Sequence, residues 1–431
     1  MTRRAVVISA DAMVFEDTEL LQTLPGMASV WDRCARVERV RSIYPSITYP
    51  CHSTMMTGVY PDRHGIIHND LIIPGQASTP WQFTRNLVHV PTIFDYTKEA
   101  GMKTASVFWP VTGNDPSIDW LIDECWPDAS EGDKEETDCF RRTGSNEETM
   151  QEVVLPNIHY VSGKHRCHPY CDHFIIQSAC TMLRKFKPNL LMMHPANIDG
   201  YRHETGVFTP KVTHGIHETD SWLQMIFKAA EDAGTFDETD FFIVSDHGQL
   251  NIERAVALNA IMAANGWITV DEDGQFVDWK AWAHSGGLSA LVKVRNPADV
   301  PAMQAFLQKL YDDGVWGIGQ LMTRKETEQQ YHLSGDFDFA LDTDGMTSFS
   351  NAFTGAFVRP LNNEDYRLSQ ASHGHLPEKG PQPTLIAFGP HIKPRVILST
   401  ANLVDEAPTF AAALGIEMPG TDGHVLEEIL R

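Results

Sequence analysis

The chain has 431 residues, 42% of them hydrophobic and 21% charged, which suits a folded α/β domain carrying a large insertion. Its 34 basic residues against 57 acidic ones leave a net charge of -23. Such a surface repels polyanions and argues against wrapping DNA or RNA, although bound cations reverse the field locally and keep a small anionic substrate open.

The first basic residues lead into an apolar run at 5–10 that ends at Asp11. That run is short of the roughly 7–15 residues of a secretory h-region and reads as a buried first strand. Further strands are expected at 104–109, 190–194, 241–245, 288–294 and 384–388, several apolar on both faces, as in a sheet covered on both sides. Helices are expected at 172–185 and 218–233, and a capped helix at 400–414, with Asn402 as N-cap and Gly415 beyond its end. The alternation predicts a doubly wound, mostly parallel α/β sheet, whose functional groups gather at the C-terminal ends of the strands. Residues 126–150 are acidic and polar and read as an exposed loop. Residues 335–345 read as a solvated hairpin turning at Asp344-Gly345. The pattern breaks from 251 to 365, an inserted cap expected to shape the substrate region, between catalytic segments 1–250 and 366–431. No stretch reaches the roughly 18–20 apolar residues of a membrane span. The seven scattered cysteines suit a reducing compartment, so a cytoplasmic location is expected.

Several residue groups carry chemistry. Asp199 and His203 stand four apart after an expected strand, so on a helical turn they face the same way and can share a metal. Asp246-His247-Gly248 follows the 241–245 strand, where carboxylate and imidazole can splay into two neighbouring sites. Asp11 ends the first strand and His373 precedes the last. Thr48 is followed by Tyr49-Pro50 and a short helix closed by Gly58, which places its hydroxyl at a helix N-terminus, where anions are favoured. Alone, each has an ordinary explanation: a solvated pair, a turn, a cap, a loop histidine. The order Asp, Thr, Asp-x-x-x-His, Asp-His, His is uncommon by chance and suits Zn²⁺. The cluster His165–His173 (His165, Cys167, His168, Cys171, His173) fits no standard zinc module. A structural metal site, a plain loop and a flank of the substrate pocket stay open for it.

Asp11, Tyr44-Pro45-Ser46-Ile47-Thr48-Tyr49-Pro50, Thr57-Gly58-Val59-Tyr60-Pro61-Asp62-Arg63-His64-Gly65-Ile66 and the later ligand motifs resemble the nucleotide pyrophosphatase/phosphodiesterase branch of the alkaline phosphatase superfamily, from residue 5 to about 425. The resemblance implies an alkaline phosphatase-like fold and two divalent metal ions, Zn²⁺ by preference. It makes Thr48 the nucleophile, held with Asp11, Asp246 and His247 on one metal. Asp199, His203 and His373 would hold the second. Asn69 would contact a non-bridging phosphate oxygen, and Tyr49 and His194 would flank a nucleobase. Cys51 stands where the family usually has Asn, and His194 where it often has an aromatic residue. Phe108-Trp109-Pro110 also resembles the phosphodiesterase branch, and residues 107–114 carry none of the lysines of the phosphonoacetate hydrolases.

The expected activity is hydrolysis of small phosphodiesters or pyrophosphates through a phospho-threonine. Asn69 is neutral, and no motif-matched Arg or Lys holds a second phosphate charge, which favours a diester over a monoester. A phosphomonoesterase or phosphonate hydrolase of the same superfamily is the alternative enzyme. A metal-dependent binding protein without turnover is the alternative of another class. Thr48-Tyr49-Pro50-Cys51-His52 does not fit the sulfatase context.

Overall fold

A computed structural model describes residues 3–431. Its central sheet has eight strands: β1 (Arg4–Ser9), β2 (Ala35–Arg41), β3 (Thr104–Val107), β4 (Trp120–Ile122), β5 (Leu190–Met193), β6 (Thr239–Val244), β7 (Leu385–Phe388) and β8 (Ile397–Asn402). They lie in the order β8-β2-β7-β6-β1-β5-β3-β4. All neighbours are parallel except β7, which runs antiparallel to both β2 and β6.

The apolar runs explain this layering. In β1, Val6 and Ile8 enter the core on one face, while Ala5 and Val7 enter the core on the other. Helices α1 (Thr48–Thr57) and α5 (Glu406–Leu414) pack on the second face; α2 (Tyr170–Lys185) and α4 (Pro210–Ala233) pack on the first. Helix α3 (Asn197–Thr205) lies between β5 and α4 in the chain. Each fully buried aliphatic or aromatic side chain contributes about 1.5–3 kcal/mol, so a strand buried on both faces is a strong local determinant of the fold. Helix α1 stops at Gly58, whose φ of 69° supplies the left-handed cap and whose N–H bonds Thr54 O.

The expected strands of the core form within a few residues of their predicted ends, the helix expected from 218 starts a full two turns earlier at Pro210, and three expectations fail. The helix expected at 400–414 begins only at Glu406, because the chain through Asn402 is recruited as β8, parallel to β2. Residues 126–150 are not a plain exposed loop: a helical turn buries Cys139 and Phe140, and Arg142 pairs with Asp133. Residues 335–345 do not form a solvated hairpin. Asp344 does cap a turn, accepting the Met346 and Thr347 N–H groups, but Phe339–Thr343 is a fully buried inner strand, and Thr347–Phe349 leaves to pair with Arg254–Val256.

That inner strand belongs to the insertion, an antiparallel sheet in the order Ala281–Ser285, Ser289–Val294, Phe339–Thr343, Ile318–Thr323. With the helix Val300–Asp313 it forms its own core around Trp282, Leu307 and Phe339.

Candidate active site

The C-terminal edge of the parallel strands carries the polar residues, as open α/β sheets dictate. Asp11 follows β1, His194 and α3 follow β5, and Asp246-His247 follow β6. Because β7 is antiparallel, its first residue, Leu385, pairs with the last of β6, Val244, so the segment before β7, with His373, arrives at this same edge.

Here the distant motifs meet. His247 Nε2 lies 3.6 Å from Asp11 Oδ1, 3.2 Å from Asp246 Oδ2 and 3.3 Å from Thr48 Oγ1. Ligand atoms of Asp11, Asp246 and His247 all fall within 4.8 Å of one another, as do those of Asp199, His247 and His373. His203 Nε2 is 3.3 Å from Asp199 Oδ1, and its ring is 5.2 Å from that of His373. His203 donates its Nδ1–H to Ala371 O at 2.7 Å, which turns the Nε2 lone pair toward Asp199, the arrangement of a ligating imidazole. Gln249 Nε2 donates to the same oxygen, Asp199 Oδ1, at 2.5 Å.

The electrostatics of the cluster call for cations. Asp11 and Asp246 are buried, and among the described residues Asp11 Oδ1, Asp246 Oδ2, His247 Nδ1 and His373 Nδ1 have no hydrogen-bond partner. Burial first, and the Asp246 carboxylate second, push the Asp11 pKa well up. A buried carboxylate pair without a lysine or arginine beside it is costly unless a bound ion supplies the charge. The oxygen and nitrogen donors therefore fit divalent metal ions.

Thr48 sits at the first turn of α1, yet its hydroxyl does not cap the helix: the N-cap is Ile47, with no side-chain bond, and the hydroxyl contacts His247. His52, one turn on, donates Nδ1–H to Thr48 O at 2.8 Å and accepts from Ser9 Oγ at 2.9 Å; burial holds its pKa well below normal, so it is a neutral strut. Asn69 Oδ1 accepts the Tyr49 N–H at 2.8 Å, which leaves the amide NH₂ free as a donor.

Of the two expected nucleobase contacts, Tyr49 is corrected and His194 gains a second role. Tyr49 is fully buried beneath Trp81, ring centroids 5.1 Å apart, and does not line the cavity; packing of α1 against the sheet draws its ring inward. His194 does line the cavity, but it donates Nε2–H to Asp11 Oδ2 at 2.8 Å. Burial lowers its pKa to about 4, so it is a neutral prop for a ligand carboxylate.

The cavity measures about 600 Å³ and reaches from Thr48 and Asn69 to Trp81, Glu124, Trp126 and Arg166. The insertion was expected to shape it, but of residues 251–365 only Asn363 is in its lining; the walls come from the core segments around 81, 124–126 and 165–175. Sequence reading missed Trp81, Trp126 and Tyr366, whose ring stacks on His373 at 5.5 Å and 6°. Trp81 and Trp126 stand in loops and Tyr366 opens a single 3-10 turn, where no periodicity marks them.

Two further Asp/His groups differ in character. His168, Cys171 and Asp172, within the cluster that left a metal site open, form a closed network: Asp172 accepts from His168 Nδ1 at 2.7 Å and from the Ala196 N–H at 2.8 Å. They flank the pocket. Asp70, beside Asn69, is buried and takes four partners: His68 Nδ1 at 2.5 Å, His284 Nε2 at 3.1 Å, Thr79 Oγ1 at 2.7 Å and Arg367 Nη2 at 3.2 Å. Arg367 Nε also donates to Ser285 O, so this junction ties the insertion to the loop carrying Asn69.

The family model of type I phosphodiesterase/nucleotide pyrophosphatase matches residues 5–313. The chain belongs to that family. Human ectonucleotide pyrophosphatase/phosphodiesterase family member 1 is 19% identical over 252 residues, 56% of this chain and 23% of that protein. Ectonucleotide pyrophosphatase/phosphodiesterase 1 of Saccharomyces cerevisiae is 21% identical over 295 residues, 64% of this chain and 36% of that protein. The matched stretch thus spans less than half the length of either relative. The solved structure of murine ectonucleotide pyrophosphatase/phosphodiesterase 5 superposes with a TM-score of 0.69 at 16% identity, covering 100% of both chains, and shows the same fold. An inactive form of that murine protein was solved in complex with AMP. Membership in a family that is generally metal-dependent agrees with the donor set described above.

Proposed function

We propose that this family member hydrolyses small phosphodiesters and pyrophosphates, nucleotide-type substrates among them, in two steps through Thr48. The observation that carries the reading is the Thr48 hydroxyl, free of any capping role and held at 3.3 Å from His247 between the two carboxylate–imidazole groups. Asp11, Asp246 and His247 would hold one cation, and Asp199, His203 and His373 the other. Zinc is the proposed identity, because imidazole and carboxylate are its usual donors. Such cations supply Lewis-acid chemistry: a lower pKa for a bound hydroxyl or water, and screening of the phosphoryl charge.

The residues of the chain do the positioning. In the first step the Thr48 Oγ–P bond forms as the bond from phosphorus to the leaving oxygen breaks, and the leaving group takes up a proton. In the second, water attacks phosphorus, the P–Oγ bond breaks and Thr48 regains its proton. His52 fixes the first turn of α1 through the Thr48 carbonyl. Asn69, its carbonyl committed to the Tyr49 N–H, presents the amide NH₂ to a phosphoryl oxygen. A neutral donor there suits the single charge of a diester. A cytoplasmic setting is proposed on the chemistry of the seven cysteines, all of them free.

The test is Thr48→Ala assayed with bis-p-nitrophenyl phosphate and p-nitrophenyl phosphate. Turnover of the diester should fall at least about 10³-fold with the metal content unchanged. Near-wild-type hydrolysis by the variant overturns the nucleophile, and a strong wild-type preference for the monoester overturns the diester reading.

A further inference from the structure

The segment Lys164-His165-Arg166-Cys167-His168 concentrates basic side chains in a chain of net charge -23, and its His165, Arg166 and His168 line the cavity. Arg166 is exposed at the cavity mouth, its guanidinium carbon 5.0 Å from the Trp126 ring centroid and 5.5 Å from that of Trp81. Among the described residues it makes no hydrogen bond and no ion pair. Its planar fork of donors is thus seated on two aromatic faces with its edge free, the geometry that takes a carboxylate or a phosphate in bidentate fashion.

The seat is rigid on both sides. Trp81 bridges to Asp70, and the Gln82 N–H bonds Asn69 O at 2.9 Å, so the aromatic shelf continues directly from the phosphate contact. On the other side, Asp172 fastens His168 and the start of α3. The His168 ring also occupies the space over Gly200, where a Cβ would come within 2.4 Å of it. A substrate with its phosphorus at Thr48 and Asn69 therefore runs along Trp81 and Trp126 toward Arg166. Glu124, on the same lining, has its Oε2 3.8 Å from His194 Nδ1; burial first and the nearby Asp123 second push its pKa well up, while the Arg166 charge pulls it down.

We propose that Arg166, seated on Trp81 and Trp126, is a subsite for an anionic group, a second phosphate or a carboxylate, carried by the substrate away from the scissile phosphorus. This rests on the phosphodiesterase reading and narrows it to diesters with a distal anion.

The experiment compares kcat/KM of the metal-loaded enzyme on p-nitrophenyl phenyl phosphate and on its 4-carboxyphenyl and 4-(phosphonomethyl)phenyl counterparts. Wild type should prefer at least one anionic substrate by about tenfold or more, the step expected for a charge-assisted bidentate contact. In Arg166→Met the ratio of anionic to neutral substrate should collapse to near one, chiefly through KM. Arg166→Lys should keep part of it. Lys164→Met, whose ammonium lies over Tyr170 instead, should leave the ratio as it was. The carboxylate and phosphonate arms tell which anion is read. No preference in wild type, or a preference that survives Arg166→Met, overturns the subsite. Hydrolysis of none of the three overturns the diesterase reading instead; the same ratio is then measured by calorimetric binding of the three compounds, and equal affinities in wild type and Arg166→Met overturn the subsite.

Discussion

Two buried clusters of aspartate and histidine lie close together in this protein, and their similarity of composition hides opposite electrostatics. Around Asp70, the carboxylate oxygens are filled by His68, His284, Thr79 and Arg367, and the pKa of Asp70 is held far below normal because these partners outweigh burial. Around Asp11, two carboxylates and an imidazole crowd together with oxygens left unpartnered, and the pKa of Asp11 is driven the other way. The first cluster carries its own cation in the form of an arginine; the second leaves carboxylate oxygens open, as the proposed cation would require. Residue types alone therefore do not distinguish the two clusters, whereas the satisfaction of their carboxylate oxygens does.

That contrast can be broken at either cluster. The largest effect is expected from Asp246→Asn, which removes a donor from the open cluster: diester hydrolysis should fall at least about 10³-fold with one metal equivalent lost, read by steady-state rates and metal analysis. Unchanged stoichiometry would count against Asp246 as a ligand. Asp70→Asn should do the reverse. It leaves Arg367 partly unpaired in the interior, and urea denaturation should show a loss of about 3–5 kcal/mol with both metals still bound. A loss of metal in that variant would erase the distinction between the clusters.

His194→Ala probes the support of a ligand rather than a ligand. Metal affinity should weaken about 10–100-fold, measured by chelator competition, while a nucleobase-stacking role predicts a change in substrate KM alone.

The smallest effect concerns a third buried carboxylate with one cationic partner. Asp342, wholly buried and paired with Lys379, has its pKa raised to about 6, burial outweighing the lysine. A raised carboxyl pKa means that the protonated form is favoured in the folded state. Its contribution is complete below about pH 4 and lost as pH rises through about 6, a change of about 2–3 kcal/mol from the shift. Asp342→Asn should remove that slope from stability measured between pH 4.5 and 7; a variant with the wild-type slope would assign it elsewhere.

Much of the core was legible because β1, β5 and β6 are buried on both faces and so read as unbroken apolar runs. β2 was not, since Arg36, Glu38, Arg39 and Arg41 interrupt it while Ala35, Val37 and Val40 alone are buried. β8 was missed for a related reason: its residues are mostly exposed or half-buried, and it is a strand because β2 pairs with it. The motif residues Thr48, Asn69, Asp199, His203, Asp246, His247 and His373 stood out by order and spacing, and the fold brings them to one edge. Tyr49 was misplaced because its position beside Thr48 in sequence says nothing about which way its ring turns.

The sequence by itself determined the doubly wound sheet and the set of donors at its C-terminal edge, because burial on both faces and strand-end placement are local properties of the chain. Only the tertiary structure decided which Asp/His cluster is short of positive charge, and that the cavity wall is Arg166 with Trp81 and Trp126 rather than the insertion. The physical reason is that hydrogen-bond satisfaction and cavity walls are made by residues far apart in sequence, and they exist only once the chain has packed.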